Sequence, residues 1–229
     1  MRKTVFANNE YYHIYNRGVD KREVFLDEED YLRFLTCLRE FNRQEAIGSL
    51  YEKSLREKKN GSSAPFVGAE LPVPALVEII VYCLNPNHYH LILKQNSEKG
   101  IEKFMHKLST GYTNYFNKKN KRSGALFQGR FKAIHIDSNE YLLLLSAYIN
   151  KNYFIHGYEI SPSDWPYCSA LDYLGKRNGT LCKKEIILDQ FAIAKSELNS
   201  ENYENYAQFL DVNANYFKDK KDLERYILE

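Results

Sequence analysis

The spacing of apolar positions changes several times along the chain, and each change marks an element. Tyr11-Tyr12-His13-Ile14-Tyr15-Asn16 is β-prone and ends at Arg17-Gly18, which predicts a strand and a turn. Behind the acidic run Asp27-Glu28-Glu29-Asp30, residues Tyr31, Phe34, Leu35, Leu38 and Phe41 recur at helical spacing. The carboxylates suit the positive end of that helix's dipole. Residues 43–75 lose this order, with a charged stretch over 52–59 and loop-forming 60–65, and read as an insertion. The nearly continuous apolar run Val77 to Leu84 predicts a central strand buried on both faces. Asn85-Pro86-Asn87 then turns the chain into a second antiparallel strand from His88 to Leu93. Residues 98–117 read as a helix with Ile101, Phe104, Met105, Leu108, Tyr112, Tyr115 and Phe116 inward, and with Gly111 as its weak point. A strand is predicted from Ala125 to Ile136, and a helix from Asn139 to Asn152 started by Asp137 with Glu140 three residues on.

The first six elements match an α+β, ferredoxin-like split βαβ arrangement: a four-stranded antiparallel sheet with helices on one face and the other face open for a site. From Tyr158 onward the patterns around Ile186 to Leu198 and Tyr203 to Leu210 predict a C-terminal α-helical extension. The expected division is therefore 1–157 and 158–229. A length of 229 residues accommodates one well-cored domain with such an appendage. No run of 18 apolar residues occurs, and Met1-Arg2-Lys3 leads into polar sequence, which implies no membrane association and a cytoplasmic location. Cys37, Cys83, Cys168 and Cys182 are widely spaced without a C-x-x-C pair, which argues against a zinc knuckle or a disulfide framework.

A net charge of +2 conceals a local block. Between Lys103 and Lys132 stand eight cations (Lys103, Lys107, Lys118, Lys119, Lys121, Arg122, Arg130, Lys132) and no Asp or Glu. Tyr112, Tyr115, Phe116, Phe127 and Phe131 are interleaved with them, the mixture that a nucleic-acid surface needs for phosphates and unstacked bases. A solvated basic helix end and loop accounts for the charge equally well.

His88 and His90 stand two residues apart on a strand, so both rings point to one face and can reach a single divalent ion, while Tyr89, Leu91 and Leu93 face the other way. Half-exposed histidines at a strand entrance are the plain alternative. Tyr148 and Asn152 lie four residues apart and share a helical face. If that face packs near the histidines, the Asn152 carbonyl completes a set of two nitrogens and one oxygen, with Tyr148 one turn away as a nucleophile. On periodicity alone Tyr148 is better explained as a core or rim aromatic, and His135 is better explained as a core or surface histidine than as a ligand.

Four motifs, in order, resemble the single-tyrosine HUH transposases, especially their REP-associated subgroup. They are Tyr12-His13-Ile14-Tyr15-Asn16-Arg17-Gly18, Pro86-Asn87-His88-Tyr89-His90-Leu91, Gly124 to Lys132, and Tyr148-Ile149-Asn150-Lys151-Asn152, with an echo at Trp165-Pro166 and 172–175. Two departures are Tyr153, where that subgroup often has proline, and the long 43–75 loop. The resemblance implies Mg²⁺ or Mn²⁺ held by His88, His90 and Asn152, attack by Tyr148 on a scissile phosphate, and a 5′-phosphotyrosine intermediate beside a free 3′-hydroxyl. The soft imidazole pair implies tighter binding of Mn²⁺ than of Mg²⁺. It further implies single-stranded or hairpin DNA lying along Lys118, Lys119, Lys121, Arg122, Arg130 and Lys132, and a homodimer. Two other readings remain at this level: a non-catalytic nucleic-acid-binding regulator on the same fold, and a metal-dependent nuclease in which water attacks.

Overall fold

The computed structural model describes residues 4–45, 50, 74–158, 165–193 and 205–219. Most of the 43–75 insertion, and the parts of the predicted C-terminal helices over 194–204, lie outside the described residues.

Four strands, β1 (Tyr11–Arg17), β2 (Val77–Asn85), β3 (His88–Gln95) and β4 (Lys132–Ile136), form one antiparallel sheet in the order β2-β3-β1-β4. That is the expected split βαβ topology. Helix α1 (Glu28–Glu40) starts at Asp27, whose side chain accepts from the Asp30 amide, and buries Tyr31, Phe34, Cys37 and Leu38. Helix α2 (Gly100–Lys119) crosses α1 at Gly111, where a Cβ would lie 2.5 Å from the Phe41 ring. Gly111 is thus the place where two elements come close, and not a break. Phe34 of α1 meets Tyr89 of β3 at 5.1 Å, so this layer covers the Tyr89 face of the sheet.

The opposite face is also covered, contrary to the expectation of an open one. Helix α3 (Asn139–Asn150) and the short α4 (Asn152–Ile155) pack on the histidine side. They form two helices because Lys151 leaves helical geometry at φ −111°, ψ 10°. Ser138, and not Asp137, caps α3 by accepting from the Tyr141 amide. The predicted strand 125–136 shrinks to Lys132–Ile136, with 125–131 joined to the sheet region through the Gly18–Phe127 bridge and a bond from the Asn16 side chain to the Gly129 carbonyl. Gly124 and Gly129, both at positive φ, bend that segment away from strand geometry.

Beyond α4 the chain runs through α5 (Ala170–Tyr173), α6 (Glu185–Ile193) and α7 (Tyr206–Asp219). This segment lines the β2 edge, with backbone bonds from Leu84 to Tyr167, Ser169 to Tyr82 and Lys183 to Ile79 at 2.9–3.0 Å. Trp165 donates its indole N–H to the Leu84 carbonyl at 2.9 Å. An open edge of unpaired amides is thereby removed. Helix α7 lies outside α3, joined by the Tyr206 hydroxyl to Ser146 (3.0 Å) and Asn150 (2.9 Å). The four cysteines are buried thiols. No helix among the described residues is long and apolar enough to cross a membrane.

Candidate metal and DNA site

Strand register assembles the site. His88 and His90 face the same side as their cross-strand partners Asn85 and Cys83 on β2, and Arg17 and Tyr15 on β1. Lys132 of β4 pairs with Tyr15 and joins the same face. His88 and His90 are buried, their rings perpendicular with centroids 5.1 Å apart.

The hydrogen bonds set the His88 tautomer. Asn85 Nδ2 donates to His88 Nε2 at 2.8 Å, so the ring proton sits on Nδ1 and is donated to Asn87 Oδ1 at 2.6 Å. The same Asn85 amide donates to Asn152 Oδ1, which lies 3.2 Å from His88 Nε2. Two lone pairs, one nitrogen and one oxygen, therefore converge on a single positive hydrogen donor. His90 Nε2 is buried without a hydrogen-bond partner among the described residues. Burial holds the His90 imidazole well below its ordinary pKa, with His13, His88, His156 and Arg17 adding to the effect. It stays neutral, with a lone pair available.

These features fit a divalent cation. No three His, Cys, Asp or Glu side chains among the described residues are grouped to hold a metal, so an amide oxygen is needed as third donor. Asn152 supplies one beside His88, although the helix break at Lys151 means that it arrives on α4 and not on the Tyr148 helix.

Tyr148, on α3, stands edge-to-face with His90 at 5.8 Å between ring centroids. Its other neighbour is Phe217 of α7, at 5.5 Å, and the residue is fully buried. A pocket beside the histidines is lined by Tyr15, Asn16, Arg17, His88, His90, Gln128 and Lys132. Burial, then Tyr141, pushes the Tyr15 phenol up to about 12, so it enters that pocket protonated.

The basic block divides. Lys118, Lys121, Arg130 and Lys132 are exposed. Lys119 is instead held by Asp27 (2.6 Å), Glu29 (3.0 Å) and Asp30 (2.9 Å), and Arg122 donates to Asn117 Oδ1 (2.6 Å) and the Ala125 carbonyl (2.9 Å). Tyr112, Phe116 and Phe127 belong to the core and present no ring for stacking bases. His135 pairs on the surface with Glu10 at 2.9 Å.

Sequence reasoning passed over His13, Asn85, Asn87 and His156. His13 Nε2 lies 2.8 Å from His90 Nδ1, and the His156 ring packs 4.9 Å from that of His88. The signal for Asn85 was present: cross-strand pairing from the hairpin places Asn85 opposite His88. His13 needed the β1 register, which no local pattern supplies.

The family model described as "Transposase IS200 like" matches residues 74–152, which run from β2 through the start of α4. A solved structure of a REP-associated tyrosine transposase bound to a REP hairpin is similar in fold, with a TM-score of 0.53 at 14% identity over 77% of this chain and 86% of that one. No curated protein matches the chain. The matched residues 74–152 include His88, His90, Tyr148 and Asn152, and over that stretch the chain is similar to the IS200-like transposases.

Proposed function

We propose that the protein is a metal-dependent DNA strand-transferase that cleaves and rejoins single-stranded DNA through Tyr148. The observation that carries this reading is the approach of His88 Nε2 to Asn152 Oδ1 at 3.2 Å, next to a buried His90 ring whose Nε2 has no hydrogen-bond partner among the described residues, with Tyr148 against His90. A divalent cation held by His88, His90 and Asn152 supplies Lewis-acid stabilisation of charge on the scissile phosphate. The chain's own groups do the rest. Arg17 and Lys132, which line the pocket, attract the DNA backbone, and Gln128 beside them offers its amide to a base edge. The Tyr148 oxygen forms a bond to phosphorus as its proton leaves, and the bond to the 3′ oxygen breaks, that oxygen taking up a proton. A 5′-phosphotyrosine and a free 3′-hydroxyl result, and attack by another 3′-hydroxyl reverses the step on a new strand. The structural relative is bound to a hairpin, which supports hairpin-bearing DNA as the substrate class here. A homodimer belongs to the same proposal, because DNA joining needs two cut ends held together.

The burial of Tyr148 under Phe217 favours one second reading, DNA binding without cleavage. Incubation with hairpin-bearing single-stranded DNA and Mn²⁺ separates the two on a denaturing gel. The expected result is a covalent protein–DNA adduct that is lost in Tyr148→Phe and His88→Ala. Binding without an adduct in the unsubstituted protein overturns strand transfer, and cleavage without an adduct assigns the attack to water.

A further inference from the structure

His13 reaches the histidine cluster from β1. Its register partner on β3 is Ile92, while Tyr15 pairs with His90, so the His13–His90 contact is diagonal across the two strands. The two rings lie nearly parallel, 20° apart in plane with centroids at 5.1 Å, and the nitrogens meet at 2.8 Å. Tyr15 packs against both rings, 4.9 Å from His13 and 5.7 Å from His90. His13 is 1% exposed, so solvent does not compete for that bond.

One proton lies between the two nitrogens, and its position decides what His90 can do. If His13 Nε2 donates, the single proton of a neutral His90 sits on Nε2, a buried N–H aimed at no acceptor and unable to bind a cation. When His90 Nδ1 donates instead, its Nε2 presents a bare lone pair in the cluster that holds His88, and the unpartnered proton falls on the buried His13 Nδ1.

We propose that His13 is a positioning residue that accepts the His90 Nδ1 proton and so holds His90 in the tautomer that ligates a cation through Nε2. The inference rests on the metal reading above. A metal-ligating histidine usually donates its second N–H to a carboxylate, a carbonyl or water. Here an imidazole takes that place. Its consequence is electrostatic, because His13 and Asn87 are uncharged partners of uncharged ligands. The cation then keeps its full charge for the phosphodiester.

The test uses the full chain as wild type, His13→Phe, which removes the acceptor and keeps an aromatic ring, and His13→Gln, which restores an acceptor through its amide oxygen. Two-bond ¹H–¹⁵N spectra of the metal-free protein read the His90 tautomer, and electron paramagnetic resonance reads free Mn²⁺ in a titration. Expected are an Nδ1–H His90 in wild type, an Mn²⁺ affinity about 10–100-fold lower in His13→Phe, and affinity retained in His13→Gln. An Nε2–H His90 in wild type, or wild-type Mn²⁺ affinity in a folded His13→Phe, overturns the role of His13. Wild type that binds no Mn²⁺ overturns the metal reading itself, and the tautomer spectrum then still decides whether His13 orients His90.

Discussion

At Lys132 the ammonium sits 5.5 Å over the Tyr15 ring at the rim of the histidine pocket, whereas that of Lys119 is enclosed by three carboxylates. Both belong to one basic run, yet substitution separates them. Lys132→Ala is expected to weaken single-stranded DNA binding and to reduce the slope of log K against log salt by about 0.7, one phosphate contact's worth. Lys119→Ala leaves that slope unchanged and lowers stability by about 1–3 kcal/mol, because the fully buried Asp30 carboxylate loses its cation. Salt-dependent binding titrations and denaturant melts on the two variants check the pair, and equal loss of DNA affinity in both would refute the division. A run of like charge in a sequence cannot show which members face carboxylates from another helix. Asp27, Glu29 and Asp30 stand about ninety positions earlier in the chain than Lys119 and meet it only because α1 and α2 pack.

At the scale of elements, Gly111 illustrates how packing overrides propensity. Alanine normally favours a helix interior over glycine by up to about 1 kcal/mol. Here the new Cβ would sit 2.5 and 2.6 Å from two atoms of the Phe41 ring. Overpacking of that kind costs about 1–3 kcal/mol, so Gly111→Ala is expected to lower the melting temperature, and Phe41→Leu in the same chain to recover part of the loss. A melting temperature raised by Gly111→Ala alone would show that α2 moves freely away from α1. Apolar periodicity located α1, α2 and the β2–β3 hairpin well, since each buries one stripe or one run of side chains. It overextended the strand before Ile136 and ran α3 through to Asn152, because hydrophobic spacing continues across both breaks. The glycines at positive φ and the Lys151 kink end those elements. Burial at Lys151 accompanies its ion pair with Asp211 of α7, 60 residues away.

Across the whole molecule the C-terminal segment and the fold are held together by aromatic contacts and edge pairing. Trp165 packs against Tyr31 of α1 and Tyr153 of α4 while bonding the end of β2. Trp165→Ala is expected to cost about 3–5 kcal/mol and to loosen the strand end that carries Asn85, read as faster amide exchange at Leu84. Unchanged exchange and stability would make the segment an independent appendage. Acid should act on the buried histidines. Burial lowers His13 from 6.5 to about 3 and His90 well below its usual value, so the folded state refuses protons that the unfolded chain accepts. Stability is then full above pH 6.5 and falls as the pH drops from there toward 3. Denaturant midpoints measured between pH 7 and 4 with chelator present check this, and His13→Phe should flatten the curve. A wild-type midpoint independent of pH over that range would contradict neutral burial.

The sequence by itself determined the sheet's strands and the shared face of His88 and His90, because alternation is a local property of a chain, and its motifs singled out Tyr148 and Asn152 through their resemblance to a family. Tertiary structure alone decided that His13 joins the histidine cluster, that both sheet faces are covered, and that Lys119 serves α1 while Lys132 borders the pocket. Those outcomes depend on strand register and on helix packing, which bring together residues whose separation along the chain carries no periodic signal.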